Sequence, residues 1–143
     1  MVTCFLIPGK PQGKGRPRFN TTTKMVHTPE ATRRYEQTVR YSYLSTVPNG
    51  QRVHSGPCRV EIDAVFTVPQ AWRVARKKAA LAGEIIPENK PDCDNIAKAV
   101  LDALNGIAYK DDSQVADLVV RKRFGEKAHV SVRIESEGVE TNG

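Results

Sequence analysis

Between Pro91 and Gly106 the chain spells out one amphipathic helix bracketed by carboxylates, and no other stretch restricts the fold as tightly. Ile96, Ala97, Val100, Leu101, Ala103 and Leu104 make one broad apolar stripe, which predicts a helix over about 94–105. Asn95, Lys98, Asp102 and Asn105 fall off the stripe, and Asn105-Gly106 is a stop signal. Asp92 and Asp94 stand at the start, while Asp111 and Asp112 follow Tyr109-Lys110 just past the end. Like charges held close repel each other, so four carboxylates around one element point to a bound divalent cation. Hard oxygen ligands suit Mg²⁺ or Mn²⁺, and those ions serve phosphate chemistry.

The rest of the chain is basic. The first 40 residues carry eight Lys and Arg against two Glu, and the remainder balances at fourteen each, so the whole excess of +6 is N-terminal. That asymmetry fits a surface that tracks a polyanion. Lys10, Lys14, Arg16 and Arg18 sit among glycines and prolines, where the main chain is able to follow a phosphate backbone. Arg73, Arg76 and Lys77 form a second candidate DNA-binding patch, with an exposed helix face as the alternative. Arg121-Lys122-Arg123 reads as strand, so its neighbours face opposite sides and cannot all serve one surface. An acidic metal site on a basic protein indicates a nuclease.

Other classes are excluded. No apolar run approaches a membrane span and the N-terminus lacks signal-peptide architecture, so a cytoplasmic protein is expected. Three scattered cysteines without CxxC spacing argue against a disulfide framework or a zinc site. Cys4 and Cys58 read as small core residues and Cys93 as a packing residue. His27, His54 and His129 are isolated and read as structural or surface groups. Trp72 and Phe66 read as core or interface anchors.

Residues 2–7 read as a strand and 8–27 as a long connection. Thr28-Pro29-Glu30 opens a helix to about Leu44, and Pro48-Asn49-Gly50 turns the chain. Alternation predicts a strand over 58–68, followed by a helix over 70–82 and a loop over 83–91. After the 94–105 helix come strands at 115–124 and 128–136, joined by a turn containing Gly125. The polar tail beyond is expected to fray. The order β-α-β-α-α-β-β implies a small single α+β domain over 1–136, with a mixed sheet flanked by helices and a tail at 137–143.

An extended Pro91–Asp94 segment lets Asp92 and Asp94 point to one side, with Asp94 also able to cap the helix. Reaching the same site with Asp111 and Asp112 requires the chain to double back along the sheet. Lys98 has two readings: an i,i+4 ion pair with Asp94 worth ~0.2–0.5 kcal/mol, or a cation that stabilises charge on the scissile phosphate. Asp102 reads as structural.

Asp92-x-Asp94-Asn95-x-x-Lys98-Ala99-x-x-Asp102-Ala103-Leu104, then Asp111-Asp112-x-Gln114-Val115, closely resembles the signature of the RusA family of Holliday junction resolvases. That resemblance implies a homodimeric, Mg²⁺-dependent endodeoxyribonuclease of a kind often carried by prophages. It acts on branched DNA, with Asp92, Asp94 and Asp112 as metal-binding residues, Asp111 as their less critical neighbour and Lys98 as the essential lysine. The stretch 70–89 looks like an insertion relative to the shortest members. Two other readings stay open: a metal-dependent nuclease for other branched or flapped DNA, and a non-catalytic DNA-binding module whose aspartates only cap a helix.

Overall fold

Alternation along β1 (Val2–Pro8) sets the sidedness of the sheet: Thr3, Phe5 and Ile7 are buried, while Leu6 and Cys4 face out. Cys4 is therefore not the core residue that its strand suggested, because it has the wrong parity; Cys58 is buried as expected. The computed structural model describes residues 1–15, 18–27, 29–47 and 52–141. The Thr28 cap and the Pro48-Asn49-Gly50 turn lie outside the described residues.

The predicted 8–27 connection contains a hairpin, β2 (Arg18–Asn20) and β3 (Met25–His27). Asn20 organises its turn. The Asn20 Oδ1 accepts the Thr22 and Thr23 N–H groups, and Lys24 closes the turn at φ 57°. Helix α1 (Glu30–Thr46) follows, with Pro29 just ahead of its first residue. Thr32, Tyr35, Val39 and Tyr43 recur at three- and four-residue intervals and are its buried face.

Strand β4 (Arg52–Thr67) begins earlier than alternation alone indicated, because an irregularity between Ser55 and Cys58 breaks the pattern. Helix α2 (Val74–Leu81) is shorter than predicted, and the Gly83 and Glu84 N–H groups close it on the Ala80 and Ala79 carbonyls with Gly83 at φ 84°. Helix α3 (Cys93–Leu104) buries Ile96, Ala97, Ala99, Val100, Ala103 and Leu104. A 3-10 turn (Asp112–Gln114) leads into β5 (Val115–Gly125), and β6 (His129–Thr141) ends the fold.

The sheet order is β1-β6-β4-β5, with β4 and β5 parallel and the other pairs antiparallel. The fold is thus a small α+β domain with a mixed sheet, as its order predicted. Two details differ. Strands β5 and β6, though joined by a short link, do not pair, since β4 lies between them. The reason is burial: β4 and β6 alternate buried apolar residues that require central positions, whereas β5 exposes Asp117 and Leu118 as an edge strand tolerates. The expected frayed tail is also paired as far as Thr141, against the early residues of β4.

Register aligns the core in rows. Phe5, Val132, Ile62 and Val120 lie side by side, as do Ile7, Val130, Ala64 and Lys122. Helices α1 and α3 cover this face, and each fully buried aliphatic there contributes roughly 1.5–3 kcal/mol. The opposite face carries ion pairs, Arg121 with Glu61 and Asp63, and Arg123 with Asp63. Lys122 instead reaches the Asn89 carbonyl on the helix side, so the basic triplet divides between the two faces as its strand parity requires.

A buried polar chain ties the sheet to α1. The single hydroxyl proton of Ser136 is donated to the Gly138 carbonyl at 2.7 Å. Ser136 Oγ therefore accepts from His54 Nδ1 at 2.6 Å, which leaves His54 Nε2 to accept from Thr3 Oγ1 at 3.0 Å. Thr3 in turn bonds the Tyr43 hydroxyl. His54 is structural, as expected.

Candidate metal and DNA site

Helix α3 is the element that places the candidate residues. Asp92 takes the extended N-cap conformation (φ −77°, ψ 161°), yet its side chain caps nothing; its carbonyl accepts the Ile96 N–H at 3.0 Å. Asp94 lies within the first helical turn, where the helix dipole favours a carboxylate. It is not the cap. Because the helix begins at Cys93, a two-residue spacing no longer directs Asp92 and Asp94 to one side. Both are exposed, and no hydrogen bond or ion pair among the described residues engages either carboxylate. Cys93 is exposed between them, its Sγ 3.9 Å from the Val120 carbonyl.

A polar stripe runs along the same helix. Lys98 lies 3.9 Å from Asp102, so the ion pair that forms is with the carboxylate one turn later, not with Asp94. Asp102 also faces Lys14, whose Nζ is 3.4 Å from Asp102 Oδ2 and 2.6 Å from Glu36 Oε1. Burial by itself would lower the Lys14 pKa; the bond to Glu36 and the charges of Glu36 and Asp102 outweigh it and raise it. The Lys14 N–H donates to the Asn95 carbonyl at 3.1 Å, and the Gly15 N–H to Thr32 Oγ1 at 3.1 Å. A Cβ at Gly15 would meet that oxygen at 2.4 Å, so only glycine permits the approach. The loop is therefore clamped between α1 and α3, and Lys14 serves the clamp. Gly13, Lys14, Lys90, Pro91, Asp92 and Asn95 line a hollow of about 630 Å³ over the helix start.

Past the other end of α3, the Asp111-Asp112 turn caps itself. Asp111 Oδ1 accepts the Ser113 N–H, and Gln114 Oε1 accepts the Lys110 and Asp111 N–H groups. Gln114 Nε2 then donates to the His54 and Gly56 carbonyls at 3.1 and 3.0 Å, fastening the turn to the irregular start of β4. Asp112 N–H is held by Asn105 Oδ1 at 3.1 Å. Gln114, which the family signature includes, here completes a capping box with Asp111, the Asp-x-x-Gln pattern ahead of an apolar run. The Asp111 and Asp112 carboxylates touch. The Ser113 backbone N–H holds Asp111 below its ordinary pKa. Contact with Asp111 and burial push Asp112 up, Asp111 and Asp102 add repulsion, and Lys98 opposes the shift.

The structure thus brings Asp111, Asp112, Asp102 and Lys98 into one neighbourhood and keeps Asp92 and Asp94 at the far end of a helix about 18 Å long. Among the described residues no group of three or more Cys, His, Asp or Glu side chains stands close enough to hold a metal ion. The expectation that one copy doubles back to gather all four acids is not met. The reason is that the 12 residues of α3 separate the two acidic pairs, and the Asp111-Asp112 turn and β5 come only after its end.

The basic candidates are dispersed. Lys10 is exposed, Arg16 lies outside the described residues, and Arg18 opens β2. Arg73 is exposed just ahead of α2, Lys77 is half-buried, and the Arg76 guanidinium lies 3.7 Å over the Trp72 ring. No helix is long and apolar enough among the described residues to cross a membrane.

A family model described as endodeoxyribonuclease RusA matches residues 8–135. The uncharacterized protein YqaN of Bacillus subtilis (strain 168) is 34% identical over 134 residues, which cover 91% of this chain and 93% of that protein.

Proposed function

Because the chain belongs to the RusA family of endodeoxyribonucleases, we propose that it resolves four-way DNA junctions by paired, Mg²⁺-dependent nicks in two symmetry-related strands. The observation that carries the reading is the pairing of the family match with the state of the acids: two unengaged carboxylates at one end of α3, two touching carboxylates at the other.

The donor set fits a hard cation. Asp111 and Asp112 repel each other, which a divalent ion relieves, and Asp92 and Asp94 have free oxygens. Asp92 and Asp94 of one copy with Asp112 of a second would hold Mg²⁺, with Asp111 assisting and Mn²⁺ as a substitute. The ion supplies an activated water and a counter-charge for the scissile phosphate. Lys98, exposed beside Asp102, presents a cation to the phosphate oxygens. Lys10, Arg18, Arg73, Arg76 and Lys77 supply charge for the DNA arms.

A homodimer serves this reaction twice. A junction has two equivalent strands, and a two-fold dimer offers two equivalent sites. It also lets Asp92 and Asp94 of one copy meet Asp111 and Asp112 of the other. A DNA substrate of this kind places the protein in the cytoplasm.

The test is a cleavage panel with Mg²⁺ on a synthetic four-way junction, a flap and a plain duplex. Paired nicks in the junction, lost in Asp92→Asn, Asp94→Asn and Asp112→Asn while junction binding persists in EDTA, are expected. Equal cutting of the flap would redirect the reading to branched DNA at large. Cutting unaffected by all three substitutions would overturn the site.

A further inference from the structure

We infer that the cleft between α2, its following loop and the ends of β4 and β5 binds an unpaired nucleobase of the DNA strand whose backbone passes Asp92. The inference rests on the nuclease reading for the identity of that strand, and on the cleft alone for the class of ligand.

The cleft has a volume of about 470 Å³, the size of a small-molecule pocket. Its floor comes from the sheet: Phe66 and Phe124 are register partners across the parallel β4–β5 pair. Trp72 packs against Phe124 edge to face, with ring centroids 5.4 Å apart and planes at 68°. Arg76 lies against the Trp72 ring, adding a flat cationic surface of the kind that bases stack on. Lys122 stands 5.6 Å from the Phe66 ring centre and bonds the Asn89 carbonyl, so the roof segment is tied to the floor.

The chemistry selects the ligand. Three rings favour a flat aromatic group, and Lys10, Arg76 and Lys90 at the same cleft favour an attached anion. Glu88 is the one carboxylate in the lining, so three cations against one acid leave the cleft net positive, which a wholly apolar ligand would not use. A base with its phosphate satisfies both demands.

The position selects the strand. Lys90 lines this cleft and also the hollow that contains Asp92. A base in the cleft therefore has its phosphate at Lys90, beside the acids proposed to hold metal. The 70–89 segment, which resembles an insertion relative to the shortest family members, supplies the wall and roof. It adds a place for one splayed nucleotide next to the cut.

Trp72 is the sole tryptophan of the chain, so its fluorescence reports on the cleft. The full chain in EDTA is titrated with a short single-stranded thymidine oligonucleotide, the same strand with its central residues abasic, a blunt duplex, and thymidine monophosphate. Saturable quenching by the intact strand is expected, with about tenfold weaker response to the abasic strand and little to the duplex or monophosphate. Lys90→Gln is expected to weaken the response without altering the free protein's emission. Equal response to intact and abasic strands, or none to either, overturns the inference. A monophosphate as effective as the strand overturns the assignment to DNA. Because the titration needs neither metal nor cleavage, a protein that quenches but cuts no junction refutes the nuclease reading and leaves the ligand class standing. Cutting without quenching does the reverse.

Discussion

Lys14 Nζ stands 2.6 Å from Glu36 Oε1, which joins the N-terminal basic loop to α1 by a pair with side chains only 17% and 14% exposed. Asp102 of α3 completes the contact at 3.4 Å. A residue read as one of the DNA contacts is thus spent holding two helices and the loop together.

Lys14→Gln is expected to lower unfolding free energy by about 1–3 kcal/mol, because it removes the closest cation from two partly buried carboxylates and leaves Glu36 only Arg40 at 3.7 Å and Asp102 only Lys98 at 3.9 Å. A urea double-mutant cycle with Glu36→Gln measures the coupling. Coupling near zero would show that the pair behaves as an exposed one.

Mixing two inactive proteins distinguishes a site shared between copies from a site within one. If Asp94 acts with Asp112 of a partner, a heterodimer of Asp94→Asn and Asp112→Asn has one intact site and one doubly altered site. After random exchange, about a quarter of all sites then cut. Junction nicking by the mixture, absent from either protein alone, is the expected readout. A mixture as inactive as its components would place both residues in one copy's site or show that dimers do not exchange; a subunit-exchange control by mass separates the two.

Gln114→Leu removes two accepted and two donated hydrogen bonds that set the Asp111-Asp112 turn on β4. A loss of about 1–3 kcal/mol in stability is expected, together with a larger loss of nicking than of junction affinity. Chemical denaturation and a gel shift in EDTA measure the two. Nicking at the parent rate in a folded Gln114→Leu protein would mean that the turn does not position the acids.

His54 sets a pH dependence of stability. Burial, then the nearby N-terminal ammonium, lowers its pKa from 6.5 to about 4. Between those values the unfolded chain takes up a proton that the native imidazole refuses, so stability rises with pH across that window and levels off above it. The full contribution is about 3 kcal/mol. The difference in urea midpoint between the parent and His54→Gln, followed from about pH 4 to about pH 8, isolates the effect. A difference that stays constant over the range would contradict the buried neutral imidazole.

Local patterns were sufficient for much of this protein. The α3 stripe, the alternation in β1 and the core of β4, and the acids around α3 are properties of neighbours in the chain, so their periodicity and chemistry appear in the residues themselves. The family signature is of the same kind. The Gln114 cap and the Asn20 turn are also short local patterns.

Tertiary structure decided what depends on distant partners. Whether β5 pairs with β6 or β4, whether residues beyond Glu135 fray or join the sheet, and whether Lys14 faces DNA or Glu36 all turn on competition for burial and hydrogen bonds across the fold. The separation of Asp92 and Asp94 from Asp111 and Asp112 belongs here too. Sequence spacing placed four carboxylates around one helix, but only the folded helix, a rigid rod about 18 Å long, determined that they stand at its opposite ends.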